Sequence, residues 1–170
     1  MILGLDLGGT VGFCHGLPTD PRPVFGHWKL PRHLGAAAAF HAFRYRFEQF
    51  IDVLQPAHVC VEARMHAAAM QYDAAAEQAF VLDMLVRMEC WCSSIPFHAT
   101  DAGTIRMELL GRTRTGKKKG ISELAIAQCH AWGWSVANSH EADAALVWAY
   151  YAARLGGGTR ARQPKLRLVG

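Results

Sequence analysis

Asp6 is the residue around which this chain has to be read. It stands in the apolar run Ile2-Leu3-Gly4-Leu5-Asp6-Leu7, directly before Gly8-Gly9-Thr10. A carboxylate inside a buried strand is costly unless something pairs with it, and the usual partner is a metal ion. Two more acids repeat the situation. Glu62 ends the run Val59-Cys60-Val61, and Asp143 opens an apolar helical stretch from His140 to Trp148. Three carboxylates far apart in sequence, each next to core, suggest a divalent-metal site. Phosphodiester cleavage is a chemistry such a site could perform. Two hard cations about 3.5–4 Å apart activate a water and stabilise the leaving oxygen of an in-line displacement. Mg2+ prefers carboxylate oxygens, with Mn2+ as the natural substitute. Asp6 is placed to bridge the ions, two per active site.

His140 and Asp143 are three residues apart on one helix and so share a face. His140 could ligate a metal, or position and deprotonate the attacking water. Glu141, between them, points elsewhere. Asn138-x-x-Glu141 reads as a variant capping box, which gives Glu141 a structural task and leaves it a reserve ligand. The remaining histidines lack ligand spacing, apart from the closeness of His66 to Glu62. Cys60, Cys90 and Cys129 fall among apolar residues and read as buried thiols. Cys90-x-Cys92 is too close for a zinc pair.

Basic residues are clustered. Arg112, Arg114, Lys117, Lys118 and Lys119 form one run, and Arg154, Arg160, Arg162, Lys165 and Arg167 a second with no acid among them. The second run alone exceeds the formal net charge of +4. Clustered positive charge of this kind suits a polyanion such as nucleic acid. The plain alternative is a solvated loop and a flexible tail.

The elements that must position the acids can be read from periodicity. Ile2–Leu7, Thr10–Leu17 and Val24–Leu30 read as three consecutive strands in an antiparallel meander. Ala36–Leu54 changes period, with Phe40, Phe43, Phe47, Phe50 or Ile51, and Leu54 at helical steps. Val59–Ala63 is a fourth strand. A long helix over about Asp73–Cys92 follows, with Phe80, Val81, Met84, Leu85 and Met88 on one side. Pro96–Ala99 is a fifth strand, Thr100–Leu110 a helix, and Gly120–Trp132 and Ser139–Leu155 the last two helices. This order is the α/β ribonuclease H-like pattern, a five-stranded mixed sheet flanked by helices on both faces. In it Asp6 lies on the central strand, Glu62 on the strand beside it, and the last helix brings Asp143 to the same edge.

A chain of 170 residues, 51% of them apolar, has room for a substantial core. We expect one nuclease domain over 1–155 and a basic, flexible tail over 156–170. No apolar run reaches the ~20 residues of a membrane span. The N-terminus lacks a basic region and a cleavage signal, which points to the cytoplasm. Five cysteines, an odd number, do not form a disulfide framework.

With these motifs in hand, residues 1–155 resemble the RuvC-type Holliday junction resolvases, of the compact kind often encoded by phages and prophages. Ile-Leu-Gly-Leu-Asp6-Leu-Gly is similar to the family's first motif, Val-Cys-Val-Glu62-Ala to the second, and Glu-Ala-Asp143-Ala-Ala-Leu to the C-terminal one. The resemblance implies that Asp6, Glu62 and Asp143 are metal-binding catalytic carboxylates. His140 stands at the family's fourth acidic position, where some relatives also carry histidine. Leu110-Gly111 followed by Lys117-Lys118-Lys119 is similar to a segment that contacts the scissile phosphate or its neighbour. Arg64–Tyr72 matches the loop inserted near the junction centre, so Arg64, His66 and Tyr72 would contact DNA, with Met65 and Met70 beside them. The helix about Asp73–Cys92 resembles the dimer-forming helix, and a homodimer would place two sites on symmetric strands of a four-way junction. The implied reaction is metal-dependent hydrolysis to 5′-phosphate and 3′-hydroxyl ends by paired nicks, in recombination, repair or phage DNA processing. It names no branch-migration partner.

Three rivals remain open at this point. Asp-Leu-Gly-Gly-Thr also resembles the first phosphate motif of actin-like ATPases, but nothing resembles the second. An RNA-processing nuclease on the same fold is a closer rival. A non-catalytic nucleic-acid-binding module is the third, and separate pairing of each acid with a basic side chain would favour it.

Overall fold

The structure is a computed structural model that describes residues 1–63, 74–112 and 118–156, without the side chains of Lys118 and Lys119. Five strands form one sheet: β1 (Ile2–Asp6), β2 (Thr10–Gly16), β3 (Val24–Lys29), β4 (His58–Ala63) and β5 (Phe97–Asp101). Their order is β3-β2-β1-β4-β5. The first three pair antiparallel, while β1–β4 and β4–β5 are parallel. β1 is therefore central, as the element order predicts. Among the described residues there are five helices: α1 (Ala36–Leu54), α2 (Ala74–Cys92), α3 (Ala102–Leu110), α4 (Lys118–Ala131) and α5 (Ser139–Leu155). A short 3-10 turn over Arg32–Leu34 precedes α1.

Alternation along the strands sorts side chains onto two faces. Leu3, Leu5, Val59 and Val61 pack with Phe43, Phe47, Leu82 and Val86 of α1 and α2. Ile2, Cys14 and Cys60 pack on the other face with α3, α4 and the buried residues of α5, among them Leu146 and Trp148. Asp6 and Glu62 share the parity of Ile2 and Cys60, which directs them to the α5 side.

Two glycines let α5 lie directly on the sheet. A Cβ at Gly12 would stand 1.9 Å from the His140 carbonyl oxygen, and one at Gly4 would stand 2.8 Å from the Trp148 nitrogen. The absence of side chains at these positions of β1 and β2 thus fixes how close the start of α5 comes to Asp6.

Several boundaries differ from the sequence reading. β5 extends to Asp101, because Ala63 pairs with Asp101 across the ladder. Helix α3 then starts at Ala102, with Asp101 as its N-cap accepting from Thr104 N at 2.9 Å. α4 begins at Lys118 rather than Gly120, so Lys118 and Lys119 open the helix instead of ending a loop. On α2 the inward residues are Ala79, Leu82, Val86 and Cys90, whereas Phe80, Met84, Met88 and Trp91 are exposed. Of the apolar side Phe80, Val81, Met84, Leu85 and Met88, therefore, Phe80, Met84 and Met88 face away from the core, while Leu85 packs against it. Cys14, Cys60, Cys90 and Cys129 are buried free thiols, and burial pushes Cys90 and Cys129 up to about 12. Among the described residues, no helix is long and apolar enough to cross a membrane.

Candidate active site

The site lies where β1 and β4 end. Leu5 is in register with Val61, so the next residues, Asp6 and Glu62, end side by side. α5 supplies the rest. Its start is set by Asn138, whose side chain accepts from His140 N at 3.0 Å and Glu141 N at 3.1 Å. The first turn then carries His140 and Asp143 on one face. Nδ1 of His140 donates to Oδ2 of Asp6 at 2.9 Å.

Asp143 reports how closely the acids gather. Its pKa is raised to about 7, first by burial and then by the charges of Asp6 and Glu62, against the opposing pull of Arg106 and His140. All three carboxylates that the sequence singles out are thus electrostatically coupled on one patch.

Arg106 is the member that sequence reasoning misses. It rises from α3, and its Nη2 lies 3.4 Å from Glu62 Oε2 and 3.9 Å from Asp143 Oδ1. Its Nε is buried with no hydrogen-bond partner among the described residues. A lone arginine in an amphipathic helix gives no motif. The only available signal is that α3 follows β5, the neighbour of the Glu62 strand. One guanidinium is shared by two of the acids, and Asp143 stays near 7 in spite of it.

Glu141 does not join this group. Its Oε2 accepts from Ala137 N at 2.7 Å, and its Oε1 lies 2.8 Å from His27 Nδ1. This is the structural task expected, with a shift of one residue: a capping box would return to the N-cap Asn138, and Glu141 reaches Ala137 instead. With both oxygens engaged, Glu141 is turned away from a ligand role. His27, read as ordinary, fastens the start of α5 to β3, lying also 3.0 Å from Asn138 Nδ2.

Among the described residues, no three His, Cys, Asp or Glu side chains stand in an arrangement that could hold a metal ion as they are. In donor type and charge the cluster nevertheless fits a hard divalent cation: three carboxylates supply oxygen donors, and Arg106 and His140 offset their negative charge only in part. Of the expected DNA-contacting residues, Arg112 is exposed just beyond α3. Lys118 and Lys119 lie in the first turn of α4. Arg64, His66, Tyr72, Arg114 and Lys117, and the tail beyond Gly156, lie outside the described residues.

No family model matches the sequence, and no curated protein matches it. Solved structures do. RuvC of Thermus thermophilus superposes with a TM-score of 0.66 at 17% identity, over 91% of this chain and 96% of that one. The same protein in complex with a Holliday junction substrate gives 0.68 at 16%, over 92% and 95%. The yeast mitochondrial Holliday junction resolvase gives 0.61 at 11%, over 91% and 80%. At these identities the likeness establishes the fold, which is the ribonuclease H-like fold of the RuvC resolvases.

Proposed function

We propose that the chain is a divalent-metal-dependent endodeoxyribonuclease that resolves four-way DNA junctions. The observation that carries this reading is the gathering of Asp6, Glu62 and Asp143 at one edge of a RuvC-like sheet, where burial first and then the charges of the other two raise Asp143 to about 7. Three mutually repelling acids beside a core are expensive to keep, and a binding surface for DNA has no use for them. The shared Arg106 favours a non-catalytic binding module. It spans two acids and leaves their repulsion in place, which is why we prefer the nuclease.

Asp6, Glu62 and Asp143 would hold Mg2+ or Mn2+. When bound, two such ions supply an activated water and charge stabilisation at the scissile phosphate. His140 acts as general base. Its Nδ1 is tied to Asp6, so Nε2 takes the proton from the attacking water and Asp6 stabilises the resulting imidazolium. Arg106 draws Glu62 and Asp143 together and offsets part of their charge. The Asn138, Glu141 and His27 network holds the start of α5 so that His140 and Asp143 face Asp6. Lys118, Lys119 and the basic segment before them would bind backbone phosphates, and the residues from Arg64 to Tyr72 would contact the junction centre.

A two-fold dimer through α2 fits this reading. Phe80, Met84, Met88 and Trp91 are exposed by 44%, 40%, 40% and 85% and recur at helical spacing. They leave an apolar stripe that the core does not use. The direct test is incubation of purified protein with labelled four-way DNA, linear duplex and RNA, with Mg2+ or with EDTA. Metal-dependent cutting of the junction supports the proposal, and cutting confined to RNA transfers the assignment to a processing nuclease.

A further inference from the structure

We propose that Lys29, Arg32 and Arg46 form a phosphate-binding strip for DNA, flanking the acidic edge from the β3 side. The inference rests on the nuclease reading and adds a binding surface to it. The turn Gly8-Gly9 closely follows Asp6, and the Arg32 guanidinium lies against it. A Cβ at Gly9 would come within 2.6 Å of Arg32 Cζ and Nη1. The same guanidinium donates from Nη2 to Gln78 Oε1 at 2.8 Å. An exposed arginine on a short turn is thereby held in one place beside the turn that follows the Asp6 strand.

Two more cations continue the strip. Lys29 ends β3 opposite Thr10, the residue after Gly9. Arg46 of α1 donates from Nη1 to the Lys29 carbonyl at 3.3 Å. All three side chains belong to exposed residues. Elsewhere on the surface Arg44, Arg87 and Arg154 are each held by an acid. Among the described residues, no acid forms an ion pair with Lys29, Arg32 or Arg46. Glu77, which lines the hollow beside Arg32, makes none with it.

Cations gathered with no acid ion-paired to them repel one another and gain little charge stabilisation in the free protein. Their gain comes when phosphates replace the counterions around them. The sheet order puts this strip across β1 from β4 and Glu62. A strand passing from Asp6 across the Gly8-Gly9 turn would meet it on one side of the acids.

The test is binding of a labelled four-way junction in EDTA, by fluorescence anisotropy, between about 50 and 200 mM salt. Each phosphate left without its cation makes the slope of log K against log salt shallower by about 0.9. The variant Lys29→Ala/Arg32→Ala/Arg46→Ala should make it shallower by about 2 to 3. Arg32→Lys should keep the native slope, since it keeps the charge. Arg22→Ala, in the loop at the opposite end of β2 and β3, should keep it too. Thermal melting of each variant shows that the fold is intact. A triple variant that melts like the native protein and binds with the native slope overturns the inference and leaves the nuclease reading standing. An equal loss in Arg22→Ala overturns it as well, because it shows diffuse attraction without a strip. A native protein that binds no junction overturns the nuclease reading, and this inference with it.

Discussion

Nδ1 of His140 lies 2.9 Å from Oδ2 of Asp6, across 134 residues of chain. That bond closes the fold at the point where the proposed chemistry takes place. The first strand and the last helix meet there because Gly4 and Gly12 carry no side chain to hold them apart.

Gly12→Ala tests this closure. The new Cβ would meet the His140 backbone oxygen at 1.9 Å, and backbone cannot rotate away as a side chain can. Denaturant unfolding should show a loss of about 3 kcal/mol or more, at the upper end of overpacking costs. Gly16→Ala, whose nearest atom belongs to the Asp20 side chain, should cost much less. Equal tolerance of both would mean that α5 is not fixed by Gly12.

Stability should depend on pH through Asp143. Its folded pKa is raised from 3.8 to about 7, first by burial and then by Asp6 and Glu62. Between those values the folded state holds a proton that the unfolded state has released. This contribution to stability is complete below about pH 3.8 and is lost as pH rises through about 7. The expected decline is on the order of a few kcal/mol. Urea titrations of metal-free protein from about pH 5 to 8 should show it, and Asp143→Asn should flatten the curve. Mg2+ should raise stability most at the alkaline end. A native curve no steeper than that of Asp143→Asn would contradict the coupling.

Arg106→Gln removes the shared guanidinium from Glu62 and Asp143. Breaking such a partly buried pair costs about 3 kcal/mol, and the loss should be larger at about pH 8 than at about pH 5, where Asp143 can hold its proton. Divalent cation should restore part of the loss by taking over the charge role. Unfolding midpoints with and without Mg2+ check this. A loss that is equal at both pH values and indifferent to cation would assign Arg106 to packing alone.

The α2 stripe predicts self-association. Met84→Asp/Met88→Asp should raise a dimer dissociation constant by about thirtyfold or more. Sedimentation equilibrium should then report monomers of native secondary structure, because both methionines are 40% exposed. A native protein that remains monomeric at high concentration would remove the dimer from the account.

Much of the site is legible in the sequence because strands and helices fix parity and facing. Asp6 and Glu62 interrupt apolar runs, and His140 and Asp143 share a helical face. Knowing that three strands precede the first helix is enough to bring these acids to one edge. Arg106 is not legible, since its importance depends on how α3 docks and not on its neighbours in sequence. Helix α2 misleads for a different reason. It is apolar on both sides, so periodicity alone does not tell the Leu82 and Val86 face from the Met84 and Met88 face. The charge of the Lys-Lys-Lys run suggests a loop, whereas lysine is a good helix former and Lys118 opens α4. The β5 boundary is ambiguous because Thr100 and Asp101 suit a helix cap as well as a strand end.

The measurement closest to the central claim is cleavage of a labelled four-way DNA junction by native protein and Asp6→Asn, with Mg2+ or Mn2+ and with EDTA, beside linear duplex. The account predicts paired, symmetric, metal-dependent nicks in the junction. Asp6→Asn should slow them by about a thousandfold or more while still binding the junction, as expected when charge stabilisation at the reacting phosphate is lost. Junction binding with no cleavage under either metal, or cleavage that Asp6→Asn leaves unchanged, would contradict it.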